Sequence, residues 1–409
     1  MRVLILHMRF HPDLTGTGPL VTNLATDLVK LGDEVTVVAS MPHYGRKEVD
    51  DSYRGGIIRR ENFEGVDLLR TFVYVPPNHG GFHRSLNYLS YTFMSVVAGA
   101  FAGQYDVILC VNPPITIGFS GWLVHLVRFT PMVLNIQDIW PDCIMIVNQL
   151  RNPVLIRVFK YLETFLYRVA ARVTVLSPGM QANLEAKGVN SDKISIIPNW
   201  ADVAFIRPVA KENPFRAAHN LNGRFVVQFA GNIGFNAMLE NVLDAAQLLQ
   251  NDARILFQII GEGNAKPALV AKAESMGLAN VSFLPTQPKA DLPQMLGSAD
   301  LSLVTLNRHL GQLNVPSKTY SIMASARPVL AAVPQDSEIA SIVRKADCGV
   351  WSPPENPQAM AATIRELVDQ RQRLETYGTN GREYVVRQNS RPQIVKRHRQ
   401  LLAEVAQVE

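Results

Sequence analysis

The sequence has 409 residues, of which 47% are hydrophobic and 18% are charged. A single compact domain seldom exceeds about 300 residues, so this length predicts two domains, and the composition excludes collagen-like and low-complexity chains. Three widely spaced cysteines, Cys110, Cys143 and Cys348, form no CxxC pair, which excludes a disulfide scaffold and a zinc ribbon. The basic residues exceed the acidic ones by only five, so we expect no nucleic-acid partner.

Short apolar runs alternate with helical patterns through the first half of the chain. A helix is predicted over PLVTNLATDLVKLG, which ends at Gly32. Strands are predicted for VLIL at 3–6, EVTVVAS at 34–40, DVILCV at 106–111, PMVLNIQD at 131–138, RVTVLS at 172–177 and KISIIPN at 193–199. Strands that alternate with helices predict a parallel sheet with helices on both faces.

The same alternation restarts after a linker around 202–216. Strands are predicted at 224–232, 254–263, 280–285, 300–306 and 327–333, with helices from 239 to about 250 and up to Met276. The chain is therefore predicted to form two Rossmann-like α/β domains, at 1–205 and 206–390. A C-terminal helix over 391–409 follows, for which packing back on the first domain is one option.

Glycines follow several of the predicted strands, and ligands bind at the carboxyl ends of such strands. Gly16 and Gly18 follow the first strand, Gly231 and Gly234 follow the strand at 224–232, and IIGEG ends the strand at 254–263. Glycine lets the backbone approach a ligand closely, and the next helix offers free N–H groups to an anion. Val21 stands where a dinucleotide fingerprint needs glycine or alanine, which disfavours a nicotinamide enzyme. A plain turn with a helix cap is the alternative for the first loop.

Lys318 is the best single phosphate-ligand candidate. It follows Pro316 and Ser317 at the start of a small-residue helix. The helix dipole disfavours a lysine at this end unless an anion is bound there. A solvated surface lysine is the alternative.

A further group of polar residues follows the strand at 131–138. Gln137 and Asp138 come first, and Trp140, Pro141 and Asp142 then form a rigid aromatic and acidic cluster. The alternative for Asp138 is a helix N-cap with no further role, and for Asp142 it is likewise a purely structural role.

A long uncharged stretch, Leu86 to Tyr105, is about long enough to span a bilayer. A buried strand follows it at once, and spanning would split one sheet between two compartments. Arg84 precedes the stretch, and GWLVHLVRF at 121–129 adds a second apolar helix with Trp122 and Arg128. These helices predict peripheral contact with a membrane surface, and core packing against the sheet is the alternative.

Seven motifs in this order resemble the retaining glycosyltransferases of family 4, which have the GT-B fold. The motifs are HPDLTGTGPL, QDIWPD, VLSPGM, IPNWAD, FAGNIG, IIGEG and VPSKTYSIMASARPVLA. The match is similar in particular to the bacterial branch of colanic-acid and O-antigen sugar transferases. The resemblance implies two Rossmann-like domains that face each other across a cleft. It also implies an N-terminal domain that binds the acceptor and a C-terminal domain that binds a nucleotide-diphosphate sugar.

The resemblance and the strand-end analysis together assign the candidate site residues. Donor-binding roles fall to Gly16, Thr17, Gly18, Gly231, Asn232, Glu262, Gly263, Pro316, Ser317 and Ser321. Catalytic roles fall to Gln137, Asp138 and Lys318, and acceptor-side roles to Trp140 and Asp142. The family's Glu-x7-Glu pair is replaced by Leu313 and Ser321, its usual histidine by Gln137, and the FAGNIG loop lacks the usual basic residue.

The resemblance implies a metal-independent enzyme without a cofactor, in which helix N-termini and basic side chains stabilise the departing diphosphate. The predicted reaction moves a sugar from a UDP- or GDP-linked donor to a lipid-linked saccharide acceptor, in exopolysaccharide, capsule or O-antigen synthesis. We expect the protein in the cytoplasm, peripherally bound to the inner face of the plasma membrane. Two alternatives remain: a catalytically silent scaffold of a polysaccharide assembly complex, and a nucleotide-sugar epimerase of the same fold.

Overall fold

The computed structural model describes residues 1–13, 16–43, 49–75, 81–146, 150 and 152–408, without the side chains of 81, 82 and 84. The chain divides into two compact units. The first comprises Met1–Ile197 together with Val395–Glu409, and the second comprises Pro198–Ile394. The sequence analysis placed the corresponding boundaries after residues 205 and 390.

A sheet of eight strands forms the centre of the first unit within the described residues. The strands are β1 (Arg2–Leu6), β2 (Glu34–Ser40), β3 (Ile58–Phe63), β4 (Val66–Thr71), β5 (Val107–Asn112), β6 (Met132–Ile136), β7 (Arg172–Val175) and β8 (Ile194–Ile196). Their spatial order is β3-β4-β2-β1-β5-β6-β7-β8. Every neighbouring pair is parallel except β3 and β4. All of β5 is buried, as expected for a central parallel strand covered on both faces.

The hairpin of β3 and β4 is the part of this sheet that the sequence analysis missed. Glu64 and Gly65 join the two strands, with φ angles of 48° and 85°. Positive φ at both central residues is the geometry of a two-residue hairpin turn whose twist matches its strands. Because β3 is an edge strand and carries exposed Arg59 and Arg60, it lacks the apolar run by which the other strands are recognised.

Helices cover the faces of the first sheet. They are α1 (Gly18–Lys30), α2 (Gly81–Phe101), α3 (Thr116–Arg128), α4 (Asp142–Ile146), α5 (Pro153–Val169) and α6 (Pro178–Ala186). Three of them lie side by side: Ser95 on α2 donates a hydrogen bond to Ser120 on α3 (2.9 Å), and the ring of Trp122 on α3 meets that of Phe165 on α5 edge-on at 5.0 Å. The order in this layer is therefore α2-α3-α5. No helix within the described residues combines the length and the apolar character needed to cross a membrane.

The second unit contains a six-stranded sheet in which every described neighbouring pair is parallel. Its strands are β9 (Phe225–Ala230), β10 (Ile255–Ile260), β11 (Val281–Leu284), β12 (Leu301–Thr305), β13 (Val329–Ala332) and β14 (Gly349–Ser352). The order is β11-β10-β9-β12-β13-β14. The remaining helices are α7 (Pro214–Ala218), α8 (Glu240–Leu248), α9 (Lys266–Ser275), α10 (Leu292–Gly297), α11 (Lys318–Ala324), α12 (Glu338–Ala346), α13 (Pro357–Leu367), α14 (Arg371–Gln388) and α15 (Arg391–Ala406).

Most of α15 belongs to the first unit, because that unit includes Val395–Glu409. Arg399 on α15 forms a salt bridge of 2.8 Å with the buried carboxylate of Asp33. The same carboxylate lies 3.0 Å from the α-amino group of Met1. One buried acid therefore joins the beginning of the chain, the turn before β2 and the C-terminal helix.

The strand orders place one point in each sheet where the direction of winding reverses. In the first sheet β2 and β5 lie on opposite sides of β1, and in the second β10 and β12 lie on opposite sides of β9. Loops at the carboxyl ends of strands on either side of such a point diverge and leave a crevice for a ligand. The loops that follow β1, β9 and β12 carry Gly16–Gly18, Gly231 and Lys318, all of which the sequence analysis singled out.

Gly121 offers a direct test of how closely α3 packs on the sheet. A Cβ atom at this position would lie 2.1 Å from the Cys110 sulfur on β5 and 2.8 Å from the Met132 sulfur on β6. We expect Gly121→Ala to lower the free energy of unfolding by about 1–3 kcal/mol through overpacking. Urea unfolding followed by circular dichroism measures this. Gln247→Ala, on an exposed turn of α8, is the control, and equal stability of both variants would contradict the packing.

Candidate active site

Two main-chain loops pack directly on each other at the carboxyl ends of β9 and β10. A Cβ atom on Gly261 would lie 1.9 Å from the carbonyl oxygen of Gly231, and one on Gly263 would lie 2.2 Å from that of Ile233. The amide of Ile233 donates a hydrogen bond to the Glu262 carbonyl (2.9 Å). At Gly261, φ is also positive, at 142°. Only glycine therefore permits this contact, which brings the FAGNIG and IIGEG backbones together at one edge of the sheet.

Lys318 lies beside this pair of loops as the first residue of α11. The side chain is half-buried, and its Nζ lies 3.4 Å from the centre of the Phe229 ring on β9. A Cβ atom on Gly231 would lie 3.6 Å from Cδ of Lys318 and 4.0 Å from its Nζ. The lysine is thus packed against the loop after β9 and is not the solvated surface side chain that was the alternative.

The ammonium of Lys318 is short of negative partners. Within the described part of the chain its polar contact is the cation–π interaction with Phe229, and it forms no hydrogen bond or salt bridge. Burial lowers the pKa of Lys318 to about 7, far below the usual value for lysine. A bound anion would restore the missing electrostatic partner, so this position has the properties of an anion site.

Asn232 and Glu262 lie in the two packed loops. The Asn232 side chain is next to Gly263, since its Oδ1 is 2.9 Å from the position a Cβ atom would take there. The Glu262 carboxylate forms a salt bridge of 2.7 Å with Lys266, which also donates to the Gly261 carbonyl at 2.9 Å. The sequence analysis missed Lys266, although the i, i+4 spacing of opposite charges pointed to this pair.

The remaining donor candidates surround the start of α11. Ser317 is the N-cap residue, but its hydroxyl makes no capping hydrogen bond. The Pro316 carbonyl instead accepts a hydrogen bond from the Thr319 amide at 3.1 Å. Ser321, where the family has its second glutamate, is half-buried, and Leu313, in the place of the first, is buried.

In the first unit, the glycine loop after β1 is held by a histidine. Thr17 Oγ1 lies 2.9 Å from His7 Nε2, and His7 Nδ1 lies 3.0 Å from the Val111 carbonyl oxygen. Because a carbonyl only accepts, Nδ1 carries the proton and Nε2 accepts from the threonine hydroxyl. His7 is only 1% exposed, and burial lowers its pKa to about 4, so the ring is neutral at pH 7.

Neither His7 nor its neighbour Arg9 was singled out in the sequence. A Cβ atom on Gly16 would lie 2.9 Å from Nη1 of Arg9, so a guanidinium lies directly against this glycine loop. His7 immediately follows β1, where a polar residue among apolar ones was the available signal. Leu14 and Thr15 of the HPDLTGTGPL motif lie outside the described residues.

Gln137 lies in a buried polar chain at the end of β6. Its Nε2 donates to Asn135 Oδ1 at 2.7 Å, and Asn135 Nδ2 donates to Thr174 Oγ1 on β7 at 2.8 Å. Asp138 is half-buried. The next helix, α4, begins only at Asp142, so the helix N-cap offered as the alternative role for Asp138 does not apply.

Trp140 and Asp142 both contact other parts of the first unit. The Trp140 ring packs edge-on against Phe159 of α5, with centroids 5.5 Å apart. The Asp142 carboxylate forms a salt bridge of 2.8 Å with Lys187, which also binds Glu163 at 2.7 Å. Asp142 thus has a clear structural contact. The structure therefore groups the candidates in three places: Gly16 to Gly18 beside His7 after β1, Gln137 to Asp142 near the end of β6, and the FAGNIG and IIGEG loops with Lys318 in the second unit.

No group of three or more His, Cys, Asp or Glu side chains in the described residues could hold a metal ion. The expectation of a metal-independent reaction stays a prediction.

Two family models match the chain, one in each half. Residues 15–200 match the Glycosyl transferase 4-like domain, and residues 211–384 match Glycosyl transferases group 1. The chain is 30% identical over 277 residues to "Probable glycosyltransferase WbjE" of Pseudomonas aeruginosa, which covers 67% of this chain and 69% of the relative. It is 26% identical over 397 residues to "Putative colanic acid biosynthesis glycosyl transferase WcaI" of Escherichia coli K12, with 95% and 96% covered.

The fold has close counterparts among solved structures. Anabaena Alr3699/HepE, solved in complex with UDP and glucose, has a TM-score of 0.74 at 16% identity, with 98% of this chain and 99% of that chain covered. Two Rossmann-like sheets with these motifs define a glycosyltransferase of the GT-B class. More narrowly, the chain belongs to the family 4-like glycosyltransferases.

The low pKa of Lys318 implies that the free energy of unfolding depends on pH. Its pKa is about 7 in the folded state and near 10.5 in the unfolded state. Between these values the unfolded chain binds more protons, so the stability contributed at this position rises with pH. We expect Lys318→Met to be more stable than the wild type at pH 7, because it removes a desolvated charge, and this advantage to shrink towards pH 10. Thermal melts at several pH values measure it, and an advantage independent of pH would contradict the assignment.

Proposed function

We propose that this glycosyltransferase moves a sugar, with retention of configuration, from a nucleotide-diphosphate donor to a lipid-linked acceptor in polysaccharide synthesis. The observation that carries the proposal is the Lys318 ammonium, which has no carboxylate partner in the described residues and lies against the loop at Gly231. The HepE complex with UDP and glucose supports a nucleotide-sugar donor. The name of WcaI, a putative colanic acid biosynthesis enzyme, supports a polysaccharide product.

In this proposal the donor diphosphate lies at the carboxyl edge of the second sheet. Lys318 supplies the charge. Gly231 places no side chain beside the Lys318 ammonium, whose Nζ lies 4.0 Å from where a Cβ atom would be, so a phosphate oxygen can approach there. A fixed cation in a partly desolvated site stabilises the charge that develops on the leaving diphosphate. This arrangement needs little rearrangement on binding, because the two loops are already packed on each other.

For the transfer itself, we expect attack by the acceptor hydroxyl on the face from which the diphosphate leaves. The acceptor oxygen bonds to the anomeric carbon of the sugar as the bond from that carbon to the phosphate oxygen breaks. The hydroxyl proton passes to the departing phosphate. Gln137 is suited to hydrogen-bond a sugar hydroxyl, since a side-chain amide can both donate and accept hydrogen bonds. Asp138, the next residue, is proposed as a second catalytic group. The nucleotide of the donor is expected to be UDP or GDP.

Replacement of Lys318 tests the donor site. Lys318→Ala should weaken binding of the preferred nucleoside diphosphate by about 1.5–3 kcal/mol, the range for hydrogen bonds to charged groups. The preferred nucleotide is first identified from a thermal-shift panel, since a ligand of the folded state raises its stability. Isothermal titration calorimetry then measures the affinity.

The matched control is Lys345→Ala, which removes an exposed lysine of α12 and should bind like the wild type. Binding of the bare nucleoside should change little in either variant. Unchanged diphosphate affinity in Lys318→Ala would remove this lysine from the donor site. Donor hydrolysis by the wild type, lost in Lys318→Ala, would argue against a silent scaffold.

The membrane contact is proposed for the outer face of the α2-α3-α5 layer. On α2, Tyr91, Met94 and Ala98 are buried, while Phe93 is 69% and Phe101 84% exposed. Core packing therefore accounts for only one face of this helix. The exposed apolar side chains of α2, α3 and α5 are Leu86, Leu89, Phe93, Phe101, Leu126, Val127, Val154, Leu155, Val158 and Tyr161. Exposed apolar surface on this scale is typical of an interaction site.

The charges of the same three helices favour an anionic surface. Their only acidic residue is Glu163, which is buried, whereas five basic residues occur: Arg84, Arg128, Arg157, Lys160 and Arg168. The side chain of Arg84 lies outside the described residues. Apolar and basic side chains without exposed carboxylates suit the headgroup region of an anionic bilayer. We therefore propose peripheral binding to the cytoplasmic face of the inner membrane, where a lipid-linked acceptor is presented.

Flotation with liposomes tests the membrane face. The wild type should float with phosphatidylglycerol liposomes at low salt and be released as the salt concentration rises. Phe93→Ser with Phe101→Ser should abolish flotation without lowering the melting temperature, because both rings are already exposed. Leu248→Ser, at an exposed leucine of the second unit, is the control. A wild type that stays in the soluble fraction at low salt, or a double variant that unfolds, would contradict the proposal.

A further inference from the structure

A partly buried ion cluster lies at the end of the proposed acceptor segment. Lys187, the C-cap residue of α6, contacts Asp142 Oδ2 at 2.8 Å and Glu163 Oε1 at 2.7 Å. Asp142 begins α4, and Glu163 belongs to the buried face of α5. Tyr167 OH donates to the same Glu163 oxygen at 2.9 Å. One ammonium therefore bridges two helices through two carboxylates.

The charges of this cluster do not balance. Two carboxylates share one ammonium, and Glu163, only 1% exposed, keeps its Oε2 without a hydrogen-bond partner. Burial raises the pKa of Glu163, while Lys187 opposes that shift. Without Lys187, a buried carboxylate would lose its counter-charge and would repel Asp142. Lys187 is thus the ammonium that holds the Asp142 carboxylate of α4 to the Glu163 carboxylate of α5.

The position of the cluster relates it to the acceptor. Asp142 directly follows Gln137–Pro141, which leaves the carboxyl end of β6 with Trp140 packed on Phe159 of α5. Five residues therefore separate the buried end of β6 from the ion cluster. Both ends of this segment are held, by Gln137 on Asn135 and by Asp142 on Lys187.

We propose that Lys187 is a positioning residue for the acceptor, which fixes the segment 137–142 against α5 by bridging Asp142 to Glu163. This inference rests on the proposed transfer to an acceptor bound beside that segment. It assigns Asp142 an indirect role through Lys187 in place of direct contact with the acceptor. Since α5 also belongs to the proposed membrane face, the same bridge ties the acceptor segment to the helix layer on the bilayer.

Asp142→Asn is the first test variant, because it removes the ionic part of the contact with Lys187 and leaves the pair of Glu163 and Lys187 intact. The second, Lys187→Met with Glu163→Gln, removes the bridge without leaving a buried charge. Acceptor KM is measured by titrating membrane vesicles of the organism that makes the protein, with sugars linked to the nucleotide that the thermal-shift panel identifies. Both variants should raise acceptor KM about 10- to 100-fold, the scale of an ångström-sized misplacement, with unchanged donor affinity and a smaller change in kcat.

A triple variant that combines Asp142→Asn with Lys187→Met and Glu163→Gln distinguishes a positioning role of Asp142 from direct contact with the acceptor. If Asp142 acts through Lys187, the triple variant should be no worse than either parent, because interacting residues are non-additive. Lys187→Arg, whose guanidinium can also bridge two carboxylates, should keep acceptor KM near the wild-type value. A normal acceptor KM in Lys187→Met with Glu163→Gln, alongside a raised one in Asp142→Asn, would overturn the proposal.

Hydrogen exchange gives a readout that needs no enzymatic activity. Amides of 138–146 should exchange at least about tenfold faster in Asp142→Asn, while those of β6 and α6 keep their wild-type rates. Unchanged exchange in 138–146 would overturn the positioning role even if the enzyme transfers sugar. A wild type that transfers no sugar to the vesicles would instead overturn the proposed function, and with it the acceptor role of this cluster.

Discussion

The ammonium of Lys318 is the group around which the candidate donor site of the second unit is arranged. Burying a charge without a partner is unfavourable, and here the cost falls on a lysine stacked on Phe229 at the edge of two packed glycine loops. Glu262, the acid of the IIGEG loop, does not neutralise Lys318, because its carboxylate forms a salt bridge with Lys266. The position beside Lys318 therefore stays open to an anion. The loop backbones are fixed by contacts that admit no side chain. The site is thus electrostatically incomplete, and an anionic ligand would complete it.

The first unit shows the opposite design, in which the polar groups near the proposed site are already paired. His7 is neutral and orients the Thr17 hydroxyl, Gln137 is bonded to Asn135, and Asp142 is bonded to Lys187. Such pairing fixes the directions of side chains before a ligand arrives, which lowers the ordering cost of binding. Hydroxyl and amide groups whose directions are already fixed suit a saccharide, which offers hydroxyl groups and no charge of its own.

Sequence patterns predicted most of the parallel strands, because these are apolar runs that alternate with helices. They missed β14 (Gly349–Ser352), in which only Ser352 is buried. The β3–β4 hairpin was missed, since Arg59 and Arg60 at an exposed edge interrupt that pattern. Lys318 could be identified locally, because a lysine at a helix start is unusual for electrostatic reasons. Lys187 could not, since its partners Asp142 and Glu163 come from other helices and only the fold brings them together. The salt bridge of Asp142 is likewise invisible in the sequence, and its acceptor-side role stays a prediction.

Proton uptake on nucleotide binding tests the central claim most directly. At about pH 8, Lys318 is largely neutral in the free protein, because its pKa is about 7. A bound diphosphate should raise that pKa and draw a proton from the buffer. Titration calorimetry with the preferred nucleoside diphosphate in HEPES and in Tris should therefore give a less exothermic apparent enthalpy in Tris, and Lys318→Ala should abolish the difference. Equal binding enthalpies in both buffers for the wild type would contradict the account.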